Sequence, residues 1–359
     1  MDKKQYNVIG LMSGTSLDGL DMAYCRFEKE EGKWQFELLD SGSVGYDDYW
    51  FPTLKNAIDL SKNELLLLDN KYGKWLGEET SKFIKKNSLS VDLIASHGHT
   101  VYHQPDKGIT LQIGSGQELA NLTGTKVVCN FREKDVTLGG QGAPLVPIGD
   151  EQLFGQYAAC LNLGGIANVS FRKNNERVAF DIGMANMLLN HLANQLDKPY
   201  DKSGLLARSG KVNQPLLEKL NKLSFYQLPS PKSLGYEWFL SDVLPLFEES
   251  EASVVDQLAT AVEHETFQIG KVFTESIQER GEILVTGGGG FNDYFIERLK
   301  YYTPKQLQVI VPDKILVDFK EAIVFAFMGV LRLRNEDNCL KSVTGASQNC
   351  SGGDVFEPL

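Results

Sequence analysis

Apolar segments at residues 6–12, 20–27 and 36–44 are separated by turn-forming polar residues, a pattern that predicts three consecutive strands. From 61 to 87 the spacing becomes helical, with Leu65, Leu68, Tyr72, Trp75, Leu76 and Phe83 near one face. Strands are predicted again at 92–96, 110–113 and 126–129, with a short helix at 116–122. The stretch LGGQGAPLVP at 138–147 concentrates glycine and proline and reads as a crossing between lobes. A second series follows: strands at 158–163, 168–171, 178–181, 282–286 and 308–311, and helices at 185–196, 254–274, 291–299 and 320–333. Two α/β lobes that each open strand–turn–strand predict a duplicated architecture with a cleft between them. The expected division is 1–142 and 143–359, the C-terminal tail being a candidate to return to the first lobe.

Composition narrows the function classes. With 42% apolar and 23% charged residues the chain has the balance of a globular protein, and 359 residues are enough for about two domains. A net charge of −11 disfavours a nucleic-acid or anionic-membrane partner, since phosphate-rich surfaces are gripped by basic ones. An anionic ligand would need a locally favourable pocket. The five cysteines are scattered without a C-x-x-C pair, which fits reduced thiols better than a disulfide framework or a zinc site. No apolar run approaches the roughly 18 residues of a membrane span, and no signal peptide is evident, so a cytoplasmic protein is expected.

Three glycine turns carry the candidate chemistry. In GLMSGTSLDGLDMAY, at 10–24, Ser13, Gly14, Thr15 and Ser16 offer amides and hydroxyls suited to phosphate oxygens, and Gly19 allows close approach. The turn lacks the Lys-Ser/Thr of a Walker A loop and does not match the dinucleotide fingerprint. Asp18 beside phosphate calls for a bridging divalent cation, and magnesium, held through water, suits it. A plain hairpin turn is an equal reading on spacing alone. A second turn, LNLGGIANVS at 161–170, repeats the theme with Asn162, Gly164 and Gly165. The third, ILVTGGGGFN at 283–292, ends a strand in a glycine run that includes Gly287, Gly288 and Gly289, where a flat adenosine would lie against bare backbone. Together the three point to a nucleotide cleft.

These turns are similar to the phosphate-one, phosphate-two and adenosine motifs of the actin, hexokinase and heat-shock chaperone ATPase superfamily. Within it the chain resembles the anhydro-N-acetylmuramic acid kinase family. The stretches that carry the resemblance are GLMSGTSLDGLD, SHGHTVYH, TLQIG, NFREKDV, GGQGAPLVP, NLGGIANV, FDIGMANMLL, PSPKSLGYEWF, GGGGFN and FKEAIVFA, in the family's order over almost the whole chain. The family's aspartate loop, D-T-G-P-G-N, reads here Asp181-Ile-Gly-Met-Ala-Asn186, and His99 stands where a glutamine is common.

The resemblance implies a two-lobed actin-like ATPase fold, ribonuclease H-like in each lobe. It also implies ATP-dependent phosphorylation of 1,6-anhydro-N-acetylmuramic acid with opening of the anhydro ring. That reaction needs a carboxylate to take a proton from the attacking water. Asp181, at a strand end, is the candidate base; the alternative is a cap on the helix near Ala185. Arg132 would clamp the sugar's lactyl carboxylate, or else pair with Glu133 or Asp135. Glu321 would bind sugar hydroxyls, or serve as a first-turn acid. His97, His99 and Asn186 complete the expected sugar contacts. Zinc on His97, His99 and His103 is disfavoured, because no acid or cysteine lies nearby in sequence. The helix bearing Asp256, His264 and Glu265 reads as structural. A kinase for another 1,6-anhydro sugar such as levoglucosan, or a nucleotide-driven switch, are the competing readings. A homodimer is expected only by family analogy.

Overall fold

The computed structural model describes residues 3–14 and 17–359. Among them the strands are β1 (Gln5–Met12), β2 (Leu20–Glu30), β3 (Lys33–Val44), β4 (Leu93–Ser96), β5 (His99–Gln104), β6 (Ile109–Ile113), β7 (Val127–Cys129), β8 (Ala159–Leu163), β9 (Ile166–Lys173), β10 (Glu176–Met184), β11 (Gly281–Thr286), β12 (Leu307–Ile310) and β13 (Asp354–Phe356). Met1–Leu153 with Phe319–Leu359 form one unit, and Phe154–Asp318 form the other.

The first unit holds a sheet of order β13-β7-β4-β1-β2-β3, plus the separate hairpin β5-β6. The second holds a sheet of order β10-β9-β8-β11-β12. In each, three antiparallel strands in meander are followed by two parallel ones: β3-β2-β1 then β4 and β7, and β10-β9-β8 then β11 and β12. The duplication expected from the two strand–turn–strand openings is therefore present over five strands of each sheet, with β13 and the β5-β6 hairpin additional in the first unit.

In the first unit the helix Lys62–Asn87 starts at a capping box, Ser61 with Glu64, and ends at Ser88 in the left-handed region. Leu65, Leu68, Tyr72, Leu76 and Phe83 are buried against Ile9, Leu11, Met22 and Ile94, while Leu66 and Leu67 on the opposite side are exposed. A helical period of 3.6 thus selects which leucines enter the core. In the second unit the helix Val254–Ser276, capped by Ser253, buries Leu258, Val262, Ile269 and Phe273 against Leu161, Val169, Ile283 and Val285.

The units divide elsewhere than at 142/143. The helix Pro147–Gln152 is tied into the first unit by a buried ion pair, Lys320 Nζ to Asp150 Oδ1 at 2.7 Å. The helix Lys314–Leu333 belongs to that unit from Phe319 onward. It lies close enough to β1 that a Cβ on Gly10 would stand 1.9 Å from the Ala322 carbonyl oxygen, so only glycine fits there. The stretch at 138–147 is likewise inside the first unit rather than a crossing: Gly142 N–H donates to Asp135 Oδ2 at 2.8 Å.

Candidate active site

A single hydrogen-bonded chain runs through the first unit from the end of β1 to the C-terminal region. Ser13, buried, donates its hydroxyl to the Gly98 carbonyl at 2.8 Å, and His97 Nδ1 meets the same oxygen at 2.8 Å. His97 Nε2 faces Arg132 Nη2 at 2.8 Å, and Arg132 Nη1 donates to the Gly142 carbonyl at 2.6 Å. Gly142 N–H then reaches Asp135, whose other oxygen accepts from Thr344 Oγ1 at 2.7 Å.

The electrostatics follow from this chain. Burial, then the adjacent Arg132 charge, lowers the His97 pKa to about 3, against weaker support from Gly98 and Ser13. Burial lowers Arg132 to about 10, with Glu321 opposing, so the guanidinium stays charged at neutral pH. Two of its N–H groups are engaged, and the planar fork has further donors for an anion. Glu321 is reached by solvent yet crowded by protein, and that crowding raises its pKa against the pull of Lys320 and Arg132.

In the second unit, register assembles a polar row across three strands. Asn162 on β8 lies opposite Asn168 on β9, which lies opposite Asp181 on β10. Cross-strand partners share a face, and all three are half-buried while Leu161, Leu163, Ala167 and Val169 fill the core side. Asp181 is also strapped by a distant segment: its carboxylate accepts Leu234 N–H at 2.8 Å and its own N–H donates to the Lys232 carbonyl at 2.9 Å. Burial raises the Asp181 pKa, and the Leu234 bond partly offsets this. A bulge between Asp181 and Gly183 re-aims the strand at this point.

The second and third glycine turns converge in the same unit. The Gly164 carbonyl accepts Asn186 N–H at 3.1 Å, the Gly165 carbonyl accepts Met187 N–H at 3.1 Å, and Asn186 Nδ2 donates to the Leu163 carbonyl at 3.0 Å. Gly287, at φ +81°, lies where a Cβ would be 2.6 Å from Asn162 Oδ1. A Cβ on Gly289 would be 2.7 Å from Leu163, whereas Gly288 has nothing nearer than Asn186 at 3.8 Å. Asn162, Gly164, Gly165, Asn186 and Gly287–Gly289 are thus one cluster, and Asn186 stands among the glycine turns.

Gly14 accepts Leu17 N–H at 3.3 Å, Asp18 is exposed, and Gly19 has φ +144° beside the Val44 carbonyl. Thr15 and Ser16 lie outside the described residues. His99 is buried, its Nδ1 without a partner among the described residues, and burial lowers its pKa. It does not share a strand face with His97: β4 ends at Ser96, β5 begins at His99, and Gly98 at φ +72° turns the chain between them.

Three alternatives fall away. Asp181 sits in β10 and the helix Asn186–Asn194 has no side-chain cap, so it is not a capping acid. Arg132 bonds His97 and Gly142 rather than Glu133 or Asp135. Glu321 is eighth in the helix Lys314–Leu333, past the first turn, where the helix dipole no longer favours an acid. His264 is structural as expected, bonded to Asn221 Oδ1 and Tyr226 Oη at 2.9 Å each. Asn168 and the 232–234 strap are features the sequence did not single out, and Asp135 was expected only as an alternative partner of Arg132. Asn168 had a signal, since it mirrors Asn162 about the Gly164-Gly165 turn; a backbone strap has none.

Comparison with known proteins gives this arrangement its class. A family model described as anhydro-N-acetylmuramic acid kinase matches residues 6–358. Proteins called anhydro-N-acetylmuramic acid kinase from Crocosphaera subtropica, a Shewanella species (strain ANA-3) and Vibrio cholerae are 36%, 34% and 34% identical to it. These matches cover 98%, 99% and 98% of this chain and 99%, 99% and 98% of the relatives. Among solved structures, the activator of the 2-hydroxyisocaproyl-CoA dehydratase from Clostridium difficile with bound ADPNP matches at TM-score 0.44 and 11% identity, over 90% of this chain and 94% of that one. The protein is an ATP-dependent sugar kinase, a phosphotransferase. More narrowly, the chain belongs to the anhydro-N-acetylmuramic acid kinase family. Among the described residues no helix is long and apolar enough to cross a membrane.

Proposed function

We propose that the protein transfers the γ-phosphoryl group of ATP to 1,6-anhydro-N-acetylmuramic acid, with water opening the anhydro ring, to give N-acetylmuramic acid 6-phosphate in peptidoglycan recycling. The observation that carries this reading is the setting of Asp181: a half-buried carboxylate in a polar cross-strand row, its pKa raised by burial and its position fixed by the Leu234 amide. A carboxylate so held takes the proton of a water directed at the anomeric carbon. The released 6-oxygen then attacks the γ-phosphorus, and the bond to the leaving diphosphate breaks.

Phosphoryl transfer is mainly a matter of positioning and charge stabilisation. Arg132, charged and oriented by His97 and Gly142, binds the lactyl carboxylate in a planar fork. His97, His99 and Glu321 offer polar contacts to the sugar. The turn at Ser13, Gly14, Thr15, Ser16 and Gly19, the turn at Asn162, Gly164 and Gly165, and the run Gly287–Gly289 bind the nucleotide, with Asn186 beside them. Asp18, an exposed oxygen donor, suits magnesium, a hard ion that retains its waters. When bound, the ion neutralises phosphate charge. In this reading the first unit carries the phosphate-one turn and sugar contacts, and the second carries the phosphate-two and adenosine motifs with Asp181.

The test is turnover in ¹⁸O-labelled water with ATP and the anhydro sugar. Label at C1 of the phosphorylated product, one ADP per product, is the expected result. ADP release without sugar phosphate, or product lacking the label, would refute the reaction.

A further inference from the structure

Cys339 and Cys350 face each other across an isolated antiparallel bridge and are only 1% and 3% exposed. Their backbones exchange both bonds, Cys339 N–H to the Cys350 carbonyl at 3.0 Å and Cys350 N–H to the Cys339 carbonyl at 3.2 Å. Such a pair keeps its Cα atoms about 5.5 Å apart, within the roughly 4.4–6.8 Å that a disulfide spans. The two sulfurs and an Asp135 carboxylate oxygen all lie within 4.8 Å of one another. Asp135 has both oxygens engaged, by Thr344 and Gly142, so the thiols rather than the carboxylate have chemistry to spare.

We propose that Cys339 and Cys350 form a redox site that hydrogen peroxide closes to a disulfide and a thiol reductant reopens. The Cys350 thiolate attacks one peroxide oxygen; the O–O bond breaks, hydroxide leaves, and Cys350 becomes a sulfenic acid. Cys339 then loses its proton and attacks the Cys350 sulfur; the S–O bond breaks and the S–S bond forms. In sum two thiols are oxidised and one peroxide is reduced, giving one disulfide and two waters. The order follows from the pair itself: the Cys339 thiol donates to Asn338 Oδ1 at 3.5 Å and to the Phe131 carbonyl at 3.8 Å, and its nearness to Cys350 lowers the Cys350 pKa and raises that of Cys339. One bridge, rather than a sheet, holds the pair, so local opening admits a molecule as small as peroxide.

The closed loop would lie against the segment that carries Arg132. Cys339 Sγ meets the Phe131 carbonyl at 3.8 Å, Gln141 N–H donates to the Thr344 carbonyl at 2.8 Å, and Ser347 N–H donates to the Leu138 carbonyl at 3.0 Å. Oxidation therefore fixes the base of a loop that already grips residues 131–142.

The test is peroxide treatment of the full chain, followed by denaturation, alkylation and peptide mapping. The expected result is loss of two of the five alkylatable thiols and a Cys339–Cys350 cross-link lighter by two hydrogens, reversed by dithiothreitol. Cys339→Ser should stop at a sulfenic acid on Cys350 that dimedone traps. Cys350→Ser should leave Cys339 unoxidised, with both variants shown to be folded by their melting. Five alkylatable thiols after treatment, or oxidation of the two cysteines without a cross-link, would overturn the proposal. So would stoichiometric zinc in the untreated protein that is lost in Cys350→Ser, which would make the cluster a metal site instead.

Discussion

Arg132 donates through Nη2 to Nε2 of His97 at 2.8 Å, and this one bond sets the state of the imidazole. A guanidinium has no lone pair to offer, so the nitrogen facing it is bare. The proton is then on Nδ1, which donates to the Gly98 carbonyl. With its pKa lowered to about 3, His97 is a neutral strut that aims a permanent cation.

Arg132→Lys keeps the charge but loses the planar fork and the paired bonds to His97 and Gly142. The expected outcome in steady-state kinetics is a rise of about tenfold or more in KM for the anhydro sugar, with KM for ATP within about twofold, as fits loss of a charge-assisted contact of about 1.5–3 kcal/mol. An equal rise in both constants would remove Arg132 from the sugar side.

His264 gives a pH prediction with a definite sign. Burial lowers its pKa to about 3, while in the unfolded chain it titrates near 6.5. Between these values the unfolded state binds the extra proton, so the benefit of burying a neutral ring is full above about pH 6.5 and is lost as pH falls toward 3. Glu265, buried with a raised pKa, contributes with the opposite sign, so the reading is a difference. The stability cost of His264→Gln in urea titrations should shrink by about 2 kcal/mol between pH 6.5 and 5. A cost independent of pH would show that His264 is not held neutral.

Gly10→Ala puts a methyl 1.9 Å from the Ala322 oxygen, with backbone on the other side. Overpacking of this kind costs about 1–3 kcal/mol. Because Ala322 adjoins Glu321, thermal melting should show lower stability together with reduced kinase activity. Unchanged melting would mean that β1 and the helix separate freely.

Most of the strands and their duplication were legible in the sequence because apolar segments and glycine turns are local signals; β5, largely polar, and β13, short, were not expected. The helix bearing Glu321 starts six residues earlier than expected, since Asp313 caps it by accepting Leu316 N–H and its first two residues, Lys314 and Ile315, face solvent. The role of 138–147 was not legible: glycine and proline announce irregular backbone, but only Asp135 and Arg132 decide where it folds. Asp181 was readable as a polar residue at the end of an apolar strand. Its strap from 232–234 was not, because about fifty residues of chain separate donor and acceptor.

Asp181→Asn tests the central claim most directly, because the amide is nearly isosteric and cannot accept the water's proton at neutral pH. In a coupled assay with ATP and 1,6-anhydro-N-acetylmuramic acid, kcat should fall by about 10²–10⁴ while both KM values stay within a few-fold. An Asn variant that turns over within tenfold of the parent, with unaltered melting, would contradict Asp181 as the base.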